Sequence, residues 1–353
     1  MSERVLVKGN EALAEAAIRA GCRHFFGYPI TPQTEVAAYM ARKMPKIGGT
    51  YLQAESEVAA INMVYGAAAA GVRVMTSSSS PGISLKSEGI SYLAGSDLPC
   101  LIINVQRGGP GLGGIQPSQA DYWQATRAPG HGDLQVLVFA PNNVQEMVNL
   151  VFRAYDKAEQ YRVPAMILAD GLLGQMMEPV AFPEEGNITQ HDKSWAVTGH
   201  QNQRKHNIVN SLYLKADELE QTVIERFERY AQIEANETMV ENYLMDDAEY
   251  AIVAFGATSR IAKAAIQLLR DQGIKVGLIR PITLWPFPKQ AIADACGKVK
   301  GFLTVEMSMG QMVDDVRLAV NGRKPVEFFG HTGGIVPTPA EIVEAVKAMG
   351  GAK

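Results

Sequence analysis

Cysteine is scarce: Cys22, Cys100 and Cys296 are the only three in 353 residues, far apart and without a CxxC pair. That spacing excludes a disulfide framework and gives this chain no iron–sulfur or zinc site of its own. The three are expected in cores, as small hydrophobes. No apolar run approaches the roughly 20 residues that a membrane helix needs. The opening MSERVLVKGNEALAEAAIRAG is charged and lacks an apolar signal core, so a cytoplasmic setting is expected. Basic blocks are missing too: 33 Lys and Arg stand against 37 Asp and Glu, and a net charge of −4 offers nucleic acid nothing to hold. Internal repeats and low-complexity tracts are absent.

What is present is an alternation of apolar strands and helices. A chain of 353 residues exceeds one comfortable core and predicts two domains. Helical spacing over 11–20 ends at Gly21, and strand candidates follow at 25–28, 51–53, 72–76, 101–105, 136–139 and 165–169. Helices are expected between them, at 57–70 and 143–159. Runs such as CLIINV are apolar throughout, which suits parallel strands covered on both faces. Residues 1–183 therefore predict a doubly wound α/β domain. The stretch 184–246 is polar and reads as a linker, with Leu219, Val223, Ile224, Phe227 and Tyr230 on one face of an amphipathic helix docked on the body or on a partner. From 247 to 353 the alternation resumes through YAIVAFG, KVGLIRP, GFLTVE and VEFFG, with helices at 260–272, from 289, and at 339–349. A second doubly wound α/β domain follows from it.

In open parallel sheets ligands bind beyond the carboxyl ends of strands, so the residues directly after strands carry the information. Four such places stand out. In GYPITPQTE, Pro29 and Pro32 fix the backbone on both sides of Thr31, which can then present its hydroxyl to a ligand; otherwise Thr31 or Thr34 caps the next helix. In YLQAESEVAA, Glu55 and Glu57 precede an alanine-rich helix. One of them complements the helix dipole, and the other is a candidate buried acid holding a proton on a ligand nitrogen. In TSSSSPGISLKSEG, small residues allow close approach of a ligand. In NVQRGGPGLGGIQP, Arg107 ends a strand as a fork-shaped donor for a carboxylate. Gly109, Gly111 and Gly114 spell GxGxxG, but Pro110 and Pro117 interrupt the loop and the helix starts only near Ser118, so no dinucleotide site is expected.

GYPITP, AESEVAA, SSSPGISL and QRGGPG, in this order and spacing, resemble the pyrimidine-binding domain of the 2-oxoacid:ferredoxin oxidoreductases. DGLLGQMMEP extends the likeness, and AFGATSR, RPITLWPFP and VEMSMGQM resemble the transketolase C-terminal-like domain of the same subunit. The likeness covers nearly the whole chain outside 185–245. It implies the alpha subunit of a thiamin-diphosphate enzyme that turns a 2-oxoacid and coenzyme A into acyl-CoA, carbon dioxide and reduced ferredoxin. The branched-chain (2-oxoisovalerate) type is favoured, with the 2-oxoglutarate type next. By that resemblance Glu57 meets the aminopyrimidine and Glu55 is a bystander, Thr31 faces the substrate side, and Arg107 meets the substrate carboxylate. Tyr28, Pro29, Ile30, Ser79 and Gly82 are the further cofactor contacts it implies.

The family's G-D-G diphosphate and Mg²⁺ motif has only fragments here, Gly132–Asp133 and Asp170–Gly171. Half a site is therefore expected, with no metal ligand in this chain. Mg²⁺ and the 4Fe–4S clusters are expected in partners: a thiamin/iron–sulfur beta subunit, a gamma subunit and a ferredoxin-like delta subunit, in a hetero-oligomer built as a dimer of protomers and serving ferredoxin. A transferase or NAD-linked enzyme on the same two-domain plan, and a non-catalytic module of this fold, are the other readings. For 2-oxoglutarate a second cation is needed, and Lys86 and Arg127 are the candidates; for aliphatic acids Ile83, Leu85, Leu112 and Ile115 are the candidate walls.

Overall fold

The computed structural model describes residues 4–186 and 188–350. A seven-stranded sheet runs in the order Thr283–Trp285, Leu137–Phe139, Ala165–Asp170, Leu101–Gln106, Val74–Ser78, His24–Gly27, Thr50–Gln53. All neighbours are parallel except Thr283–Trp285, which runs antiparallel to its partner. Leu101–Gln106 and Ala165–Asp170 are buried at every position, as unbroken apolar strands covered on both faces must be. The strand at Val74–Ser78 lies two residues later than the expected 72–76 and runs on into the serines.

A five-stranded sheet carries the rest: Val326–Gly330, Gly301–Glu306, Tyr250–Val253, Val276–Pro281 and, antiparallel at the edge, Val240–Tyr243. Two strands cross between the units. Val240–Tyr243 comes from the stretch read as linker and joins the second sheet, while Thr283–Trp285 comes from the second half and joins the first. Met239 ties the crossing, since its carbonyl accepts from Ile282 N at 3.0 Å and its N–H donates to Thr283 Oγ1 at 2.9 Å. Val5–Lys8 pairs with Met177–Val180 in a small antiparallel sheet that the sequence pattern did not reveal.

The helix Ala216–Asn236 forms as expected, but its stripe is split. Tyr230 is buried with Arg226 and Ile233, whereas Leu219, Ile224 and Phe227 face outward. Arg226 and Arg229 both reach Asp97, so an ion pair sets the rotation of the helix on the body. The two α/β units are locked together by buried polar contacts. Gln119 bonds Met307 in both directions and donates to Phe255 O, and Arg280 forks onto Glu146 while also reaching Glu241. Cys22, Cys100 and Cys296 are free and buried.

Candidate active site

The parallel sheet delivers its loops to one edge, and the four sequence stretches meet there. Glu57 is the first residue of the helix Glu57–Ala69. Ser56 caps that helix, its side chain accepting from Ala59 N at 3.1 Å, so the cap needs nothing from Glu57. Glu57 is nevertheless only 6% exposed, and among the described residues its carboxylate receives no hydrogen bond. Glu55, two residues earlier, is exposed.

Gly82, in the first turn of Pro81–Gly95, is glycine for want of room. A Cβ there would stand 2.1 Å from Ser78 Oγ and 2.7 Å from Glu57 Oε1. Ser78 and Ser79 have buried hydroxyls without a partner. A buried carboxylate free of bonds, beside orphaned hydroxyls and against a helix stripped of its side chain, fits a heterocycle that donates and accepts. The pyrimidine end of thiamin is such a group. Gly82→Ala is expected to push Glu57 aside and to lower thiamin diphosphate affinity by at least about tenfold with the fold intact. Calorimetric titration of the assembled protein checks it, and undiminished affinity would mean that the cofactor does not need this approach.

Arg107 is buried, and its guanidinium donates from Nη1 to Thr31 O at 3.0 Å and from Nη2 to Leu112 O at 3.1 Å. Its Nε is buried without a partner. Thus the same side chain that lines a cleft of about 650 Å³ also ties down both neighbouring loops. Below it, Ser80 takes a positive φ of 25°, donates to Asp121 Oδ2 at 2.7 Å and accepts from Arg107 N at 3.0 Å. Burial raises the Asp121 carboxyl above its ordinary range, against the pull of Ser80, Asn104 and the Arg107 charge.

The turn Tyr28–Pro29–Ile30–Thr31 is less enclosed. Pro29 and Thr31 are exposed, Tyr28 and Ile30 half-buried, and the Thr31–Pro32 peptide is cis. Neither Thr31 nor Thr34 caps the helix Thr34–Lys43, which has no side-chain cap. Gln33 anchors the turn instead, accepting from Ser77 Oγ at 2.5 Å. Thr31 lines a second cleft of about 600 Å³ with Ile115, Leu172 and Gly334, separated from the first by the glycine loop. That loop folds on itself, Gly114 N donating to Gly108 O, and no helix begins before Tyr122.

Several expectations are corrected. Lys86 is not a surface or pocket cation: it is fully buried, its amine bound to Thr76 Oγ1 and Ser77 O. Arg127 pairs with Asp315 and stacks over Trp123. Ile83 lies in the core, and Leu112 is 84% exposed, leaving Leu85 on the first cleft and Ile115 on the second. Met309, Gln311 and Thr332 of the second unit complete the first cleft; Met309 and Gln311 lie in the VEMSMGQM stretch that carried the resemblance, but no local pattern placed them beside Arg107, because only the docking of the two units brings them there. Asp170 is sealed off: burial pushes its carboxyl up to about 6, and it accepts from Leu172 N and Leu173 N. Asp133 lies beside Phe227 on the far helix, so the two motif fragments do not meet.

The model of the family described as pyruvate flavodoxin/ferredoxin oxidoreductase, thiamine diphosphate-binding, matches residues 15–244, and that of pyruvate:ferredoxin oxidoreductase core domain II matches 248–342. Ketoisovalerate oxidoreductase subunit VorB of Methanothermobacter thermautotrophicus is 49% identical over 346 residues, 98% of each chain. Its subunit letter is B, where the sequence resemblance had suggested an alpha subunit. A solved 2-oxoglutarate:ferredoxin oxidoreductase from Magnetococcus marinus, with 2-oxoglutarate, coenzyme A and succinyl-CoA bound, superposes with a TM-score of 0.87 at 28% identity. That match covers 98% of this chain and 65% of the solved one. A split-gene transketolase, solved as an inactive tetramer, shares the fold at a TM-score of 0.61 and 14% identity, over 97% of both chains.

Proposed function

Since this chain belongs to the pyruvate flavodoxin/ferredoxin oxidoreductase family of thiamin-diphosphate enzymes, we propose that it carries the pyrimidine half of a shared site. In that role it would serve the oxidative decarboxylation of a branched-chain 2-oxoacid with coenzyme A, yielding acyl-CoA, carbon dioxide and reduced ferredoxin. The observation that carries this reading is Glu57, buried and without a hydrogen bond at the carboxyl edge of the sheet. Bound thiamin supplies the electron sink for decarboxylation. This chain's own residues do the rest: Glu57 holds or shares the proton of the pyrimidine nitrogen, Arg107 orients the anionic substrate, and Thr31 faces it across the glycine loop.

The VorB relative supports an aliphatic substrate, and so does the first cleft, where Leu85, Pro110 and Met309 supply apolar surface beside Arg107. The bound 2-oxoglutarate of the Magnetococcus enzyme favours the alternative acid. Against that alternative, Lys86 is sealed and Arg127 is already paired, so neither stands ready for a second carboxylate. Asp170 is committed to its own helix, and Mg²⁺, iron–sulfur clusters and the diphosphate contacts are assigned to partner subunits within a cytoplasmic hetero-oligomer. The domain division at about 183 and 246 belongs to the same reading, with the crossing strands exchanged over the seams.

Anaerobic affinity purification from the native cells tests it. The expected product is a brown multi-subunit complex with bound thiamin, reducing viologen dye with 2-oxoisovalerate faster than with 2-oxoglutarate; this chain alone is expected to be silent. A colourless chain purifying alone without thiamin rejects the reading, and a preference for 2-oxoglutarate rejects the substrate.

A further inference from the structure

A lone lysine is among the costliest groups to bury, yet Lys86 has no exposed surface. Its Nζ donates to Thr76 Oγ1 at 2.6 Å and to Ser77 O at 3.3 Å, two acceptors for the three protons of an ammonium. Gly82, Lys86 and Gly89 follow at i, i+4 and i+7 along Pro81–Gly95 and so share one face of that helix. The face packs on the helix Glu57–Ala69: a Cβ at Gly82 would meet Glu57 Oε1 at 2.7 Å, and one at Gly89 would meet Ile61 Cγ2 at 2.5 Å. Between those two glycine contacts the lysine is the one charged group that this stretch turns inward.

We propose that Lys86 is a positioning residue for Glu57, a sealed amine that supplies the counter-charge for a carboxylate left without a hydrogen bond. The proposal rests on the reading of Glu57 as the group that meets the aminopyrimidine. Two groups act electrostatically on the amine: Glu57 from the neighbouring helix and Cys100 from the start of strand Leu101–Gln106. Burial lowers the Lys86 amine to about 7, with the Glu57 charge and then Cys100 drawing it back up. Burial also pushes the Cys100 thiol up to about 12, so at neutral pH it is uncharged and Glu57 is the effective partner. One helical turn on from the contact between Gly82 and Glu57, an ammonium at 86 supplies positive charge to the neighbourhood of that carboxylate.

Two measurements test the coupling. In the full chain, isotope-labelled lysine Cε resonances are followed against pH, with the Lys86 signal assigned by its loss in Lys86→Met. The Lys86 midpoint is expected near neutrality, and Glu57→Gln is expected to lower it by about one pH unit because the opposite charge is gone. An unmoved midpoint overturns the proposal. In the assembled enzyme, Lys86→Met is expected to cut kcat about tenfold and displace its pH profile, with the 2-oxoacid KM held within about twofold. Wild-type kcat and pH profile in that variant overturn it as well, and should the variant fail to assemble, the resonance titration decides. If Glu57→Gln turned over normally yet still moved the Lys86 midpoint, the catalytic reading of Glu57 would fail while the pairing stood.

Discussion

Replacing Glu57 with Gln in the assembled enzyme is expected to lower kcat by about 100-fold or more, the range a positioned proton-transfer group commands. The change is nearly isosteric, and the amide can neither give up nor take the proton that the carboxylate exchanges with a pyrimidine nitrogen. Among the described residues Glu57 makes no hydrogen bond that the variant would break, and Ser56 retains the helix cap. The thermal midpoint is therefore expected to hold at neutral pH and above, where the buried Lys86 amine can shed its proton once the opposite charge is gone. Dye-linked turnover, thiamin content and a melting curve on the same preparation separate the effects. Near-normal kcat would reject the assigned role, and a collapse in melting temperature would show that the loss is one of folding.

Arg107→Ala has the second largest expected effect. A charge-assisted hydrogen bond contributes about 1.5–3 kcal/mol, so losing it should raise the 2-oxoacid KM by roughly 10- to 150-fold. The geometry adds a consequence beyond the lost charge. Two of the guanidinium's N–H groups already hold the carbonyls of Thr31 and Leu112, so alanine also unties both loops that wall the clefts. Lysine keeps the charge but cannot span both carbonyls and a substrate, and Arg107→Lys is expected to lie near Arg107→Ala rather than near wild type. Initial rates over a range of 2-oxoacid concentrations give the split between KM and kcat. An unchanged KM in both variants would remove Arg107 from substrate binding and leave it a loop clamp.

The family was legible in four short loops because their chemistry depends on local features. Pro29 and Pro32 around Thr31, a glutamate opening an alanine-rich helix, and an arginine ending an apolar strand keep their meaning wherever the chain runs. Glu57 over Glu55 could be chosen from the sequence by resemblance alone. The fold adds the reason, which is that Glu55 is exposed and Glu57 turns in against Gly82. Lys86 shows the opposite case. In the sequence it is a candidate cation for a second substrate carboxylate, and its burial between an exposed Leu85 and a half-buried Ser87 follows from a helix pairing that no local pattern encodes.

By itself the sequence determined the α/β alternation, the parallel sheet with its functional edge, and the chemical types gathered there. Apolar strand runs, glycine and proline placement and short loop motifs act over a few residues and so can be read in order along the chain. Tertiary structure alone decided which strands changed sheets, which carboxylates were spent on capping, and which cations remained free. Met309 and Thr332 reach the Arg107 cleft from beyond residue 300 only because the two units dock through Gln119 and Arg280. Long-range contacts of this kind are settled by burial and charge pairing between distant segments, and those are energies of the assembled fold rather than of any stretch within it.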